Sequence, residues 1–129
     1  MAINKLHDEF RTLDMTTGWE VPAGYPAGIQ QKILSGALDE VNNKGSRTRI
    51  LRFEPGVYTT QPFVHLYWEE VFLFSGDLIV GNDEQGNGGE SFAPFTYACR
   101  PPAGRLPRPF QISRRLRADG NPLFRSGVS

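Results

Sequence analysis

A chain of 129 residues has room for one hydrophobic core and not for two, so a single domain is expected. Apolar residues make up 39% and Phe, Trp and Tyr 12%, enough large side chains for a barrel interior, whereas 14 Gly and 10 Pro impose many turns and disfavour long helices. The lone cysteine, Cys99, excludes an intrachain disulfide, no early stretch carries the features of a secretion signal, and no apolar run approaches the roughly 20 residues needed to cross a bilayer; the expectation is a cytoplasmic protein without a membrane span or anchor.

The net charge of zero conceals a division. Residues 1–99 carry 7 basic and 13 acidic groups, a balance of −6, and residues 100–129 carry 7 basic and 1 acidic, a balance of +6. Every basic residue from Arg100 onward is arginine, whereas Lys5, Lys32 and Lys44 contribute to the earlier part.

Residues 1–27 have weak periodicity and the breakers Pro22, Gly24, Pro26 and Gly28 follow closely, which predicts an arm lying over the domain. A first strand is expected over 29–34, a turn over 39–46 containing Asn42, Asn43 and Gly45, and a second strand over 47–54 with Arg49, Leu51 and Phe53 on one face and Ile50, Arg52 and Glu54 on the other. Pro55-Gly56 breaks it. Strands are then expected over 57–65, over 69–74 after a tight connection at Leu66, Tyr67 and Trp68, and over 78–80 after a turn at Gly76-Asp77. A Gly- and Asn-rich loop over 81–89 leads to a last strand over 92–99. Short strands punctuated in this way, with no helical pattern between them, indicate an all-β sandwich or barrel rather than βαβ units.

Chemistry concentrates between Pro55 and Leu78. If His65 ends one strand and Glu69 begins the next, both side chains can point to the same face, and imidazole plus carboxylate suits a divalent transition metal. The competing reading is an ordinary strand-end histidine with Glu69 and Glu70 as a solvated pair.

This segment resembles the first conserved motif of the cupin superfamily, in which a glycine, two histidines separated by one residue, a glutamate and a closing glycine recur at set intervals. Gly56 matches the opening glycine loosely, His65 the second histidine, Glu69 the glutamate and Gly76 the closing glycine. The resemblance implies a cupin-type double-stranded β-helix, or jelly-roll barrel, with a core over 28–102 and His65 and Glu69 as ligands of Fe, Ni, Zn or Mn. Strand alternation then turns Glu69, Val71 and Leu73 inward and Glu70, Phe72 and Phe74 outward. Two outward phenylalanines suit a homodimer of the kind common in that superfamily, and suit burial beneath the arm equally well.

The sequence departs from the family twice. Phe63 stands where the first histidine belongs, and Pro107 follows Pro102-Ala103-Gly104-Arg105-Leu106 where the second motif has its histidine. Catalytic metal sites generally use three protein ligands and an open position, so two side chains hold a metal weakly or not at all; His7, Gln61, Tyr67 and Tyr97 are conceivable supplements. The run from Phe95 to Pro102 is similar to cupins of the anti-sigma-factor kind, which continue into a His-Gly-Pro-Phe segment. In a shifted reading frame, permitted codons for residues 105–129 can spell Cys-His-Gly-Pro-Phe and a further strand-like peptide. An out-of-frame tail over 103–129 thus accounts together for the arginine bias, the charge reversal and the missing histidine, and leaves open whether this tail completes the barrel. Pro107, Pro109 and Pro122 make it a poor contributor to a sheet. An arginine arm for nucleic acid is the other account of the tail. Only Arg114, Arg115 and Arg117 cluster, with Phe110 and Phe124 as sparse aromatics, so no specific nucleic-acid partner is expected.

Two functions follow from the resemblance. One is a metal-dependent enzyme of dioxygenase or C–C-cleaving type acting on a small organic substrate. The other is a noncatalytic cupin that binds or senses a small ligand or metal, since one fold hosts many activities. Phe63, Tyr67, Val71, Leu73 and Tyr97 would line an apolar pocket suited to an aromatic or diketone-like molecule rather than a sugar.

Overall fold

The structure, a computed structural model, describes residues 5–63, 65–102, 116–117 and 123–128, the last two stretches as backbone. The strands are β1 (Ile29–Asp39), β2 (Lys44–Phe53), β3 (Glu69–Leu73), β4 (Leu78–Val80), β5 (Glu90–Phe92), β6 (Tyr97–Arg100), β7 (Leu116–Arg117) and β8 (Leu123–Val128). They form a five-stranded sheet in the order β1-β2-β8-β3-β6 and a three-stranded sheet in the order β5-β4-β7. The described residues contain no helix, and none therefore is long and apolar enough to cross a membrane.

The longest pairing is the β1–β2 hairpin, in which Ile29 lies opposite Phe53 and Asp39 opposite Lys44. Its turn is tighter than the sequence implies. The Asp39 carboxylate accepts bonds from the Asn42 backbone N at 3.2 Å and from Asn42 Nδ2 at 2.8 Å, and Asn43 takes a positive φ of 54°, as asparagine tolerates in such turns. The first strand also outruns the expected 29–34, because a register shift between Ile33 and Ser35 absorbs the irregularity that Gly36 signals. Residues of the N-terminal arm lie against this hairpin. Glu20 bridges Gln31 through the backbone, Lys32 Nζ donates to the Thr17 carbonyl at 2.6 Å, and the Arg52 guanidinium lies 4.2 Å over the Trp19 ring.

Two expected strands need correction. The described residues of 57–65 form no regular strand: Tyr58 and Phe63 make isolated bridges only. Pro62 between them has no N–H to donate, which interrupts a ladder. The strand expected over 92–99 is cut in two. Phe95 adopts φ 69°, the Thr96 hydroxyl donates to the Ala93 carbonyl at 2.7 Å, and the chain crosses from β5 in one sheet to β6 in the other. The crossing is fastened to β3, since Phe95 N donates to Leu73 O at 2.7 Å and Leu73 N to Thr96 O at 3.0 Å. The tail, expected to be a poor sheet former, supplies two strands: β7 pairs with β4, and β8 lies between β2 and β3. The second-motif positions from Ala103 onward, and with them residues 103–115, 118–122 and 129 of the tail expected to be out of frame, lie outside the described residues.

Between the sheets Ile29, Phe53, Leu73 and Leu78 are buried, with Tyr25, Leu51, Val57, Val80 and Phe92 packed against them. Each of these side chains contributes about 1.5–3 kcal/mol when fully removed from water. The core fixes which face of β2 and β3 points inward, and thereby orients the polar residues further along both strands.

Candidate functional site

Side chains alternate along β2, so Arg47, Arg49 and Leu51 share the face of the fully buried Phe53. Two arginines on an inward face are unusual and need partners. Arg49, only 6% exposed, donates through Nη1 to Gln31 Oε1 at 2.8 Å and through Nη2 to the Tyr25 hydroxyl at 3.3 Å, with its guanidinium 5.6 Å from the Tyr25 ring centroid. Arg47 is half-buried, and its Nε is enclosed without a hydrogen-bond partner among the described residues. Burial, reinforced by the Arg49 charge, pushes the Arg47 pKa below its ordinary value.

Beside the arginines runs a row of four rings. Tyr25 stacks on Phe63 with centroids 4.4 Å apart and planes at 18°, Phe63 lies parallel to His65 at 6.5 Å and 6°, and His65 stacks on Tyr67 at 4.7 Å and 23°. Burial pushes the Tyr67 hydroxyl up to about 12; Arg47 and Arg49 oppose that rise and Glu69 adds to it. The hydroxyl is thus a neutral donor at physiological pH.

His65 and Glu69 are brought together. Nε2 of the imidazole lies 3.0 Å from Glu69 Oε2, with the side chains 17% and 12% exposed. The turn between them carries Leu66 and Trp68 out toward solvent. The expected pocket residues do not stay together. Phe63 and Tyr67 join the ring row, whereas Val71, Leu73 and Tyr97 border a separate cavity of about 380 Å³ between the sheets, shared with Leu78, Val80 and Phe92. Tyr97 is 55% exposed, lies opposite Phe72 rather than Glu69, and donates its hydroxyl to Glu70, a bond that raises its pKa.

A transition metal would need more donors than the described residues at this end of the barrel bring together. Among the described residues no group of three or more His, Cys, Asp or Glu gathers. His7 pairs with Glu9 at 2.7 Å on the exposed arm, Gln61 is exposed, and Phe63 presents a ring face to Tyr25. The described residues do not fit a catalytic metal centre, which generally needs three protein ligands. Sequence reading missed Arg47, Gln31 and Tyr25 as parts of the site. The available signal was arginine at positions 47 and 49 in phase with Leu51 and Phe53, a charged pair on what is otherwise an apolar strand face.

No protein-family model matches the sequence, and no curated protein does either. Solved structures do match in shape. An RmlC-like cupin from Shewanella frigidimarina is similar over 97% of this chain and 93% of its own, at 13% identity and a TM-score of 0.58. The polyketide cyclase RemF from Streptomyces resistomycificus is similar over 94% of this chain and 78% of its own, at 14% identity and a TM-score of 0.60. A structure of Rhodobacter sphaeroides SigE in complex with the anti-sigma ChrR matches 89% of this chain and 50% of the chain compared, at 14% identity and a TM-score of 0.59. The chain has the cupin fold, a jelly roll of two packed sheets; at such identities the likeness concerns architecture alone.

Proposed function

We propose that this cupin-fold chain binds a small organic molecule at the Arg47–Tyr67 end of its barrel, as a binding or sensing module rather than as a metal enzyme. One observation carries the reading: Phe63 stands in the place of a ligand imidazole and is stacked between Tyr25 and His65, so that an aromatic wall replaces a third metal donor. Rings and a few convergent polar groups are the usual lining of small-molecule sites. The His65–Glu69 pair, 3.0 Å apart, orients the imidazole and offers a polar handle at the edge of that wall. The experiment is a ligand-observed NMR screen with neutral and charged aromatic fragments on the full chain, alongside elemental analysis of the purified protein. Saturable fragment binding without stoichiometric metal supports the proposal; one equivalent of iron, nickel, zinc or manganese that disappears in Glu69→Gln overturns it.

A second reading, a metal-dependent enzyme of dioxygenase or C–C-cleaving type, draws support from the convergence of His65 and Glu69, and that elemental analysis separates the two. Homodimerisation through the outer face of β3 is proposed on the exposed rings there: Phe74 is 48% and Phe95 75% exposed, and Phe72 contacts both, at 5.0 and 6.2 Å between centroids. Light scattering on the eluting protein decides between one chain and two. A single exposed thiol, Cys99, suits a cytoplasmic setting.

A further inference from the structure

We propose that Arg47 and Arg49 form an anion site that selects a small organic carboxylate with a planar body, the body lying along the Tyr25–Phe63–His65–Tyr67 row. The proposal rests on the reading that this end of the barrel binds an organic molecule, and specifies which class. Four observations converge on it. The two guanidiniums sit on alternate residues of β2 and face the same way, and neither forms an ion pair with a carboxylate of the described residues. Among the described residues Arg49 is held by neutral oxygens, from Gln31 and Tyr25, so these residues position its charge without neutralising it. Arg47 Nε is buried with no acceptor among the described residues, an arrangement that is costly unless something supplies one. The Arg49 charge disfavours that of Arg47, and Glu40 on the hairpin turn, which favours it after Tyr67 and Tyr25, forms no ion pair with it among the described residues.

Glu69, beside the ring row, is engaged by His65, which leaves the arginines without a carboxylate partner among the described residues. Arginine binds carboxylates through two parallel N–H donors, and Nε with one Nη is one such edge. The unfilled Nε of Arg47, on a charged guanidinium, therefore favours an oxyanion over a neutral hydroxyl and excludes a cation. Tyr25 links the charged and the aromatic parts, because its hydroxyl receives Arg49 while its ring stacks on Phe63. A planar unsaturated body attached to the carboxylate can extend onto that wall, where stacked rings add to affinity.

The test is calorimetric titration of the full chain with benzoate, benzyl alcohol and inorganic phosphate, on the natural protein and on Arg47→Gln and Arg47→Lys. Benzoate is expected to bind saturably, with a Kd at least about tenfold below that of benzyl alcohol, and Arg47→Gln to raise the benzoate Kd by about tenfold while leaving benzyl alcohol unchanged. Arg47→Lys, which keeps the charge and loses the fork, is expected to weaken benzoate by a smaller factor, and it carries the test if Arg47→Gln does not fold. Benzoate and benzyl alcohol binding equally, or benzoate binding that ignores both substitutions, overturns the arginine site and leaves the broader reading standing. Phosphate binding as tightly as benzoate overturns the planar-body requirement. Failure of all three probes overturns both.

Discussion

Replacing Phe63 by histidine restores the side chain that the ring row displaces, and its consequences can be worked out in both directions. Without metal, Phe63→His weakens the stack with Tyr25 at 4.4 Å, and such aromatic pairs contribute about 0.5–1.5 kcal/mol beyond their burial. A loss of about 1 kcal/mol lowers the midpoint of thermal unfolding by about 3–6 °C in a domain of this size. With metal, the introduced imidazole would stand two residues before His65 and join the His65–Glu69 pair to make a three-donor set, the usual number for an open site. At a metal concentration one hundredfold above Kd the folded state gains about 2.7 kcal/mol, more than the substitution removes. The assay is thermal unfolding of EDTA-treated protein with and without Ni²⁺ or Zn²⁺. The expected pattern is a metal-free midpoint below that of the natural chain and a metal-loaded midpoint above it, with the gain abolished when Phe63→His is combined with Glu69→Gln. A Phe63→His protein that takes up no more metal than the natural chain would refute the claim that Phe63 occupies a ligand position.

Three other expectations concern the frame that holds the site. Phe53→Ala removes the largest fully buried ring and should cost about 3–5 kcal/mol, read as a lower guanidinium midpoint with an unchanged slope. Gly89→Ala and Gly56→Ala form a matched pair: both glycines have positive φ, +90° and +77°, but a Cβ at Gly89 would meet Ile79 Cγ2 at 2.7 Å and the Val80 carbonyl oxygen at 2.9 Å, whereas nothing lies within 4 Å at Gly56. The first should lose several kcal/mol and the second about 1–2 kcal/mol; equal losses in chemical denaturation would contradict this placement of the loop. Tyr67, with its hydroxyl raised to about 12, holds its proton more tightly when folded than the ordinary value of about 10. Its contribution is complete below pH 10 and is lost as pH rises toward 12. Solvent screening limits it to about 1 kcal/mol, and Tyr67→Phe should flatten the alkaline decline in stability over that window.

Much of the scaffold was readable because alternation and turn chemistry are local. The inward set Glu69, Val71, Leu73 follows from period two, and the sequence motif around Gly56, His65, Glu69 and Gly76 pointed to the fold that the solved structures share. What escaped was whatever depends on partners remote in the chain. The segment 57–65 looked like a strand by composition, but Pro62 cannot complete a ladder. The run 92–99 looked continuous, and only Phe95, held at positive φ by bonds to Leu73, turns it from one sheet to the other. Arg47 and Arg49 were visible as residues but not as a candidate site, because Tyr25 and Gln31 reach Arg49 from other parts of the chain. Tyr97, expected as a pocket residue, borders the cavity beside Val71 and Leu73, and the turn at 93–96 brings it opposite Phe72.

That turn has a consequence for how the molecule breathes. Its two backbone bonds to Leu73 are the point at which the larger sheet grips the segment arriving from the smaller one, so parting the layers requires breaking both. The amide protons of Leu73 and Phe95 should consequently exchange with deuterium only through opening of the whole domain, at one common rate, while amides at the exposed hairpin tip near Asn42 exchange through local fluctuations. Those two residues are a built-in gauge of whether the barrel is shut.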